Sequence, residues 1–388
     1  MPSKVLVEGI GLRKLRRGSS IIYRKWVRPE QGLRPGELVE IHSSEAGLEA
    51  CGLWEPRGPV AVRVVEHSGC SYTTPQEVIE DRLEDAYRIR ERLGYAPEHG
   101  MRLVNSDGDL LSGLIIDVYG DVAVLQSSSW AIDPHIEYIA KVLSRLAGSR
   151  HVFNKSTQRS RKDIGLEPVV EWIIGRKREV IIEEAGAKFI VDVVNGQKTG
   201  FFLDQRMNRL ELRRYVGSKV LDVFSYTGAF GIHAAMEGAR IVVFVEEDPT
   251  AARILRRNLE INRIERYKIY NTSIWSMRRL EDRFDTITVD PPAFIQRGDQ
   301  DSINRGIKAY RRAYSWSLKH STPGSTVAYL SSCSYFLTRD NFLKIISEVA
   351  LEVNDNYRIL GSLRGASPDH TMRGEEYLDY LKGAFIWM

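Results

Sequence analysis

Four short clusters in the second half of the chain carry the side chains best suited to chemistry. Asp222 opens DVFSYTGAFG, where an apolar run gives way through Gly228 to a helix-like run. That turn can receive a small polar ligand, but its spacing departs from GxGxxG, so no backbone cradle for a pyrophosphate is formed. The chemistry indicated is that of a ligand without phosphates, which disfavours a nicotinamide-dependent oxidoreductase. At the end of the next apolar run stand Glu246, Glu247 and Asp248. They follow the glycine turn at the distance, about 20 residues, where a carboxylate accepts hydrogen bonds from ribose hydroxyls. Asp248 precedes Pro249 and suits a helix cap, which leaves Glu246 for the ligand.

The third cluster is Asp290, Pro291, Pro292, Ala293 and Phe294. The prolines fix the backbone where the strand stops, and a carboxylate beside an aromatic ring can hold the edge and face of a flat heteroaromatic base. The fourth is Ser331, Ser332, Cys333, Ser334 and Tyr335. A lone cysteine is most often a small buried hydrophobe, but this one lies just past a strand end among hydroxyls, where a thiolate nucleophile can work.

Placing these clusters side by side requires a particular scaffold. KVLDVF, RIVVFVEE, DTITVD and STVAYLSS are apolar strands separated by helix-like segments, the pattern of a doubly wound parallel sheet. Ligands bind such a sheet beyond the carboxyl ends of its strands, and all four clusters sit there. YRILGSLRG and YLKGAFIWM read as two closing strands. Upstream, EVIIEE and AKFIVDVV flank Ala185 and Gly186, followed by the helix LDQRMNRLELRRYVG.

The N-terminal part reads differently. VLVEGI, SSIIYRKWV, ELVEIHSS, EACGLWE and VAVRVVEHS are short strands separated by glycine and proline, as in a small barrel. A helix with Thr74 as its cap and Pro75 at its first position then marks a boundary. Three domains are expected over 1–72, 73–178 and 179–388. The fold class is α/β: a C-terminal Rossmann-like sheet, an N-terminal barrel and a small central α/β domain.

With 43% hydrophobic and 27% charged residues the chain has the composition of a globular protein, and no apolar run is long enough to span a bilayer. No membrane association is expected, and the cytoplasm is the expected location. Cys51, Cys70 and Cys333 are widely spaced, so neither a zinc site nor a disulfide framework is indicated, no metal is expected, and Cys51 and Cys70 are read as packing residues. The net charge of +4 says little, but GLRKLRRGSSIIYRKWVR, between Gly11 and Arg28, contains basic and no acidic residues, with Tyr23 and Trp26 interleaved. Arg13, Lys14, Arg16 and Arg17 are therefore candidates for contact with an RNA backbone.

GQKTGFFLDQRMNR, DVFSYTGAFG, DPPAF and SSCSY, in this order, resemble the bacterial and archaeal family of large-subunit ribosomal RNA methyltransferases that make 5-methylcytosine. The likeness spans nearly the whole chain, and GELVEI and PVAVRVV give the barrel the look of a PUA domain. The resemblance implies S-adenosylmethionine as cofactor, held by Phe201, Gln205, Arg206, Asp222, Phe224, Tyr226, Thr227, Gly228, Glu246, Ser273, Ile274 and Asp290. It implies Cys333 and Asp290 as the catalytic pair, and Pro291, Pro292 and Phe294 against the target base. Ribosomal RNA is the implied partner, and a homodimer is an allowed assembly. Two features depart from the pattern: Asn271 to Ile274 holds no acid for the adenine, and no second cysteine follows Asp290-Pro-Pro. A guanine methyltransferase of the same fold, or an RNA-binding assembly factor without activity, remains an alternative at this level.

Overall fold

The computed structural model describes residues 2–277, 279–374 and 376–388. Two compact units emerge: Met1–Ile182 with Val191–Leu203 and Pro368–Leu378, and Glu183–Ile190 with Asp204–Ser367 and Asp379–Met388.

In the first unit, β1 (Ser3–Val7), α1 (Gly9–Arg16), β2 (Ile21–Tyr23), β3 (Val27–Pro29), β4 (Leu38–Ser43), β5 (Gly47–Trp54) and β6 (Val60–His67) form the barrel, whose sheet runs β2-β6-β5-β4-β1-β3. VLVEGI is thus not a single strand: the chain turns at Gly9, with φ 57°, into α1, which buries Leu12 and Leu15 and exposes Arg13, Lys14 and Arg16. SSIIYRKWV is likewise divided by a tight turn at Arg24–Trp26, where the Arg24 guanidinium donates to the carbonyls of Gly58 and Val60.

α2 (Pro75–Arg92) starts with Thr74 accepting from Glu77 N, and the Glu77 side chain returning to the Thr74 backbone. This reciprocal cap satisfies two otherwise orphaned donors. The central sheet follows in the order β11-β10-β9-β8-β7, built from β7 (Met101–Asn105), β8 (Leu114–Tyr119), β9 (Val122–Ser127), β10 (His151–Ser156) and β11 (Val169–Ile174), with α3 (Ile136–Leu146) and α4 (Arg159–Asp163) between its later strands. Leu38, Leu53 and Val65 of the barrel share one core with Val78, Leu83, Leu103, Leu125 and Ile139. Barrel and central domain therefore fall in one unit, and the break expected near residue 72 is a covalent landmark without a packing boundary. Residues 368–378 join this unit because Asp369 accepts from Arg102 N at 2.9 Å and from the Arg90 guanidinium through its carbonyl at 2.7 Å.

The hairpin of β12 (Glu179–Glu184) and β13 (Ala187–Asp192) contributes its tip, residues 183–190, to the second unit. There follow α5 (Arg206–Leu212), β14 (Lys219–Val223), α6 (Ala229–Met236), β15 (Ile241–Val245), α7 (Pro249–Ile261), β16 (Tyr267–Tyr270), β17 (Thr286–Val289), α8 (Gln300–Leu318), β18 (Val327–Ser332), α9 (Arg339–Leu351), β19 (Arg358–Ile359) and β20 (Lys382–Trp387). They form a seven-stranded sheet in the order β16-β15-β14-β17-β18-β20-β19, in which β20 alone is reversed, running antiparallel to both β18 and β19. YRILGSLRG contributes only Arg358 and Ile359 as strand; Gly361 takes φ 73°, and the Arg364 guanidinium bonds the Leu360 carbonyl. Among the described residues no helix is long and apolar enough to cross a membrane.

Candidate active site

Register fixes where the chemistry collects. Val223 of β14 aligns with Val245 of β15 and with Val289 of β17, and Val289 aligns with Leu330 of β18. The loops that leave these strands therefore emerge at one edge of the sheet, and the order reverses there between β14 and β17.

The loop after β14 is conformationally expensive. Phe224 and Tyr226 adopt φ of 60° and 49°, and Gly228 adopts 87° before α6 begins. Left-handed backbone at non-glycine residues persists where surrounding contacts over-determine it, often at binding sites. Here Glu246 supplies such a contact: Oε2 accepts from Tyr226 N at 2.7 Å and Oε1 from Asp248 N at 2.8 Å. Burial pushes the Glu246 carboxyl up. Asp248 caps α7 by accepting from Thr250 N at 2.8 Å, as its place before Pro249 indicated. Gly231 permits tight packing of α6 on the sheet, since a Cβ there would lie 2.2 Å from Phe244.

Asp222 is turned inward. Its Oδ2 accepts from Gly231 N at 3.0 Å and its Oδ1 from Thr288 Oγ1 at 2.5 Å, and the residue is buried. It braces the start of α6, through partners that its position in the sequence did not indicate. Burial, with Asp290 and Glu246 nearby, pushes its carboxyl up to about 7.

Arg206 is likewise engaged within the fold. Its Nε donates to Glu184 Oε2 at 3.0 Å, beside Arg209, whose Nε lies 2.6 Å from Oε1, and His233 at 3.0 Å, all of them buried. A carboxylate in the hairpin tip collects these groups, so Arg206 ties α5 to that hairpin. Gln205 positions Asp290: its Nε2 donates to Asp290 Oδ1 at 2.8 Å, while its Oε1 accepts from Tyr329 OH at 2.9 Å and Asn208 Nδ2 at 2.7 Å. Ser331 Oγ donates to the same Asp290 oxygen.

Phe294 meets Phe224 with ring centroids 6.1 Å apart and Trp275 at 5.9 Å, and Trp275 meets Phe224 at 6.5 Å. This aromatic group joins the loops after β14, β16 and β17. Trp275 escaped the sequence reading because it follows no strand-end motif; the only signal was an aromatic beside Ser273 and Ile274. Ile274 is buried in the core, and Ser273 accepts from Ser276 N through its carbonyl, which shapes the turn carrying Trp275. Asn271 donates to the Glu246 carbonyl at 2.8 Å, tying this turn to the ribose-side loop.

Cys333 is half-buried past the end of β18, and its Sγ lies 4.0 Å from the Pro291 carbonyl oxygen. Pro291 is buried, whereas Pro292 is exposed. Tyr310 organises the neighbourhood through bonds with Ser332 Oγ at 2.8 Å and Ser334 Oγ at 2.7 Å. Lys382, buried on β20, donates to the Ser334 carbonyl at 3.0 Å; burial pulls its pKa down, opposed in part by Asp379 and Cys333. Neither Tyr310 nor Lys382 could be singled out before the sheet order was known. Tyr335 and Phe336, adjoining Cys333, are exposed and pack edge to face at 5.2 Å.

Phe201 and the basic run lie in the first unit. Phe201 is buried there, with its carbonyl 3.5 Å from Tyr119 OH. In the basic run, Arg16 is matched by Glu49 of β5 at 2.6 Å and by Glu45, in the turn before it, at 3.0 Å, acids that the linear sequence does not place nearby. Lys14 and Lys25 instead stand over the Trp26 ring, 5.3 and 5.1 Å from its centroid. Cys51 and Cys70, read as isolated packing residues, lie with Glu66 so that their ligand atoms are all within 4.8 Å of one another.

Comparison with known proteins gives this geometry a class. Residues 142–335 match the family model of S-adenosylmethionine-dependent methyltransferases, and residues 6–67 match that of PUA-like domains. The sheet and its site are those of an S-adenosylmethionine-dependent methyltransferase. Over 98% of its length the chain is 32% identical to a protein of Methanocaldococcus jannaschii named as a ribosomal RNA large subunit methyltransferase, of which 98% is covered. It is 31% identical to ribosomal RNA large subunit methyltransferase I of Pseudoalteromonas atlantica, over 99% of this chain and 98% of that one. The chain belongs to the family of these PUA-containing methyltransferases, and S-adenosylmethionine is its cofactor. A crystal structure described as a methyltransferase complexed with SAH shares the fold, with a TM-score of 0.80 at 21% identity over the full length of both chains. The site suits the cofactor. Thr227 Oγ1 is buried in the strained loop with no hydrogen-bond partner among the described residues, a polar atom placed for a ligand to satisfy.

Proposed function

We propose that the protein methylates C5 of a cytosine in large-subunit ribosomal RNA, with Cys333 as the nucleophile that activates the ring. The names of the relatives support the RNA substrate. One observation carries the choice of cytosine: a half-buried cysteine at the end of β18, its Sγ 4.0 Å from the Pro291 carbonyl in the loop that also presents Asp290 and Phe294.

Cytosine C5 is too poor in electrons to attack an alkyl donor unaided. Addition of the Cys333 thiolate at C6 breaks the C5–C6 double bond and places its electron pair on C5. Bound S-adenosylmethionine supplies an electrophilic methyl group for that carbon. Transfer of the C5 proton to solvent water frees its bonding pair to re-form the C5–C6 double bond as the thiolate leaves C6. An ordinary cysteine has a pKa of about 8.5, so the thiolate needs support at neutral pH. The buried Lys382 ammonium supplies positive charge for it. Asp290, held by Gln205 and Ser331, is placed to accept from the N4 amino group of the base and, in its protonated form, to donate to N3, which favours the negative charge that develops on the ring. Tyr335 and Phe336 offer faces on which unstacked bases can rest, lowering the few-kcal/mol cost of extracting the target.

Replacing Cys333 by Ala should abolish turnover on ribosomal RNA and leave S-adenosylmethionine affinity within about twofold, because the thiol acts on the base alone. RNA with 5-fluorocytosine at the target should remain covalently attached to Cys333, since fluorine cannot leave as a cation. A Cys333→Ala protein that methylates at the wild-type rate, or a modified base that proves to be guanine, would sink the assignment.

A further inference from the structure

We propose that Cys51, Glu66 and Cys70 form a binding site for a soft divalent cation of the zinc class in the N-terminal barrel. The site is independent of the methyl-transfer reaction and of the substrate assigned to it.

The three ligand atoms lie within 4.8 Å of one another, and Cys51 Sγ is 3.7 Å from Glu66 Oε2. Around a tetrahedral zinc ion, with metal–sulfur and metal–oxygen distances of about 2.3 and 2.1 Å, a sulfur–oxygen edge measures about 3.6 Å and a sulfur–sulfur edge about 3.8 Å. The observed separation already equals such an edge. Two thiols with one carboxylate are also the donors that a borderline-soft cation prefers over magnesium or calcium.

Backbone features bring the donors together. Cys51 on β5 faces Glu66 on β6, and the register slips between Cys51 and Gly52, a bulge that re-aims side chains locally. Beyond β6 the chain doubles back through Ser68 and Gly69, both left-handed at φ 68° and 124°, and Gly69 N bonds the Glu49 carbonyl at 3.1 Å. This reversal returns Cys70 to the side of Cys51, and left-handed backbone at serine is uncommon enough to need a reason. Glu66 is held in turn by Ser71, whose backbone N lies 2.7 Å from Oε2 and whose hydroxyl lies 3.0 Å from both oxygens. Such outer contacts orient carboxylate ligands at metal sites.

The charge balance is simple. Burial pushes both thiols up, so each carries its proton in the cation-free state. A divalent ion displaces both protons to solvent, forms two metal–sulfur bonds and one metal–oxygen bond, and takes its fourth ligand from water on the side of half-buried Cys70. No electron changes hands. Binding would pin the segment between β6 and α2 against the barrel.

The test uses the full-length protein, reduced and stripped with a chelator. Cadmium should produce a near-ultraviolet thiolate-to-metal charge-transfer band that saturates at one ion per chain. Zinc should slow alkylation of Cys70 about tenfold or more, while Cys333 alkylates as before. Cys70→Ser, on a half-buried turn where serine is readily accommodated, should lose the band, and Glu66→Gln should weaken binding with the thiol count unchanged. Absence of the band, equal alkylation of Cys70 with and without zinc, or a band retained by Cys70→Ser would overturn the proposal. So would purified, metal-free protein in which Cys51 and Cys70 are joined as a disulfide that forms equally fast in the presence of zinc.

Discussion

Raising the pH from 6 to 8 should tighten S-adenosylmethionine binding about tenfold and leave S-adenosylhomocysteine almost unmoved. The two ligands share their adenosine and amino-acid parts and differ in the sulfonium charge. In the binding mode proposed here that charge lies in the crevice bordered by Glu246 and Asp290 and braced from behind by Asp222, whose carboxyl is pushed up to about 7 by burial and by its two acidic neighbours. A group with such a pKa is about nine-tenths protonated at pH 6 and about nine-tenths ionised at pH 8. A cation favours the ionised form, so the proton must be expelled on binding at the lower pH, at a cost of about 1.4 kcal/mol for the tenfold difference. Calorimetry at pH 6, 7 and 8 with both ligands measures the effect, and Asp222→Asn should flatten it while preserving the size of the side chain. A change of less than twofold for S-adenosylmethionine, or a parallel change for S-adenosylhomocysteine, would refute the reasoning. The same shift has a consequence for the ligand-free fold. Because the folded carboxyl keeps its proton to higher pH than the unfolded one, its contribution is full below about pH 4. It is lost as pH rises through about 7, for a total of roughly 4 kcal/mol in the wild type.

Glu184 offers a second test. Burial alone would raise its carboxyl, but Arg209, His233 and Arg206 hold it well below the usual range. Glu184→Gln should leave two buried guanidinium groups uncompensated and lower the stability of the second unit by about 3 to 5 kcal/mol in urea unfolding. Glu246→Ala should weaken S-adenosylmethionine by about 1 to 3 kcal/mol in calorimetry, since the carboxylate holds Tyr226 N and is the group proposed to bond the ribose; unchanged affinity would remove it from the site. Neutralising Arg13, Lys14 and Arg17 together should reduce the log-log salt slope of RNA binding by about 2, whereas Arg16→Ala alone, already paired with Glu45 and Glu49, should leave it nearly constant.

Sequence periodicity alone determined the parallel sheet of the second unit, because buried strands in such a sheet are short apolar runs that end where polar loops begin. For the same reason the four loaded strand ends were legible: Asp222, Glu246 and Asp290 each follow apolar residues directly, and Cys333 follows its run after two serines. The cap at Thr74 and the role of Asp248 were also local, set by one side chain and the next few backbone N–H groups. What a carboxylate or guanidinium does there was not local. Asp222 and Arg206 share the site's motifs, yet Thr288 and Gly231 claim the first, and Glu184, 22 residues upstream, claims the second. Partners of that kind come from other strands and helices, and only packing selects them. Trp275, Tyr310 and Lys382 reached the site by the same route, through sheet order and strand register. In the barrel, folding brought Glu45 and Glu49 to a run with no acids of its own and set Cys70 beside Cys51 across a left-handed turn. Residue type thus announced which side chains could react. Which of them face a ligand was decided by long-range contacts, since a buried polar group must find a partner wherever the fold supplies one.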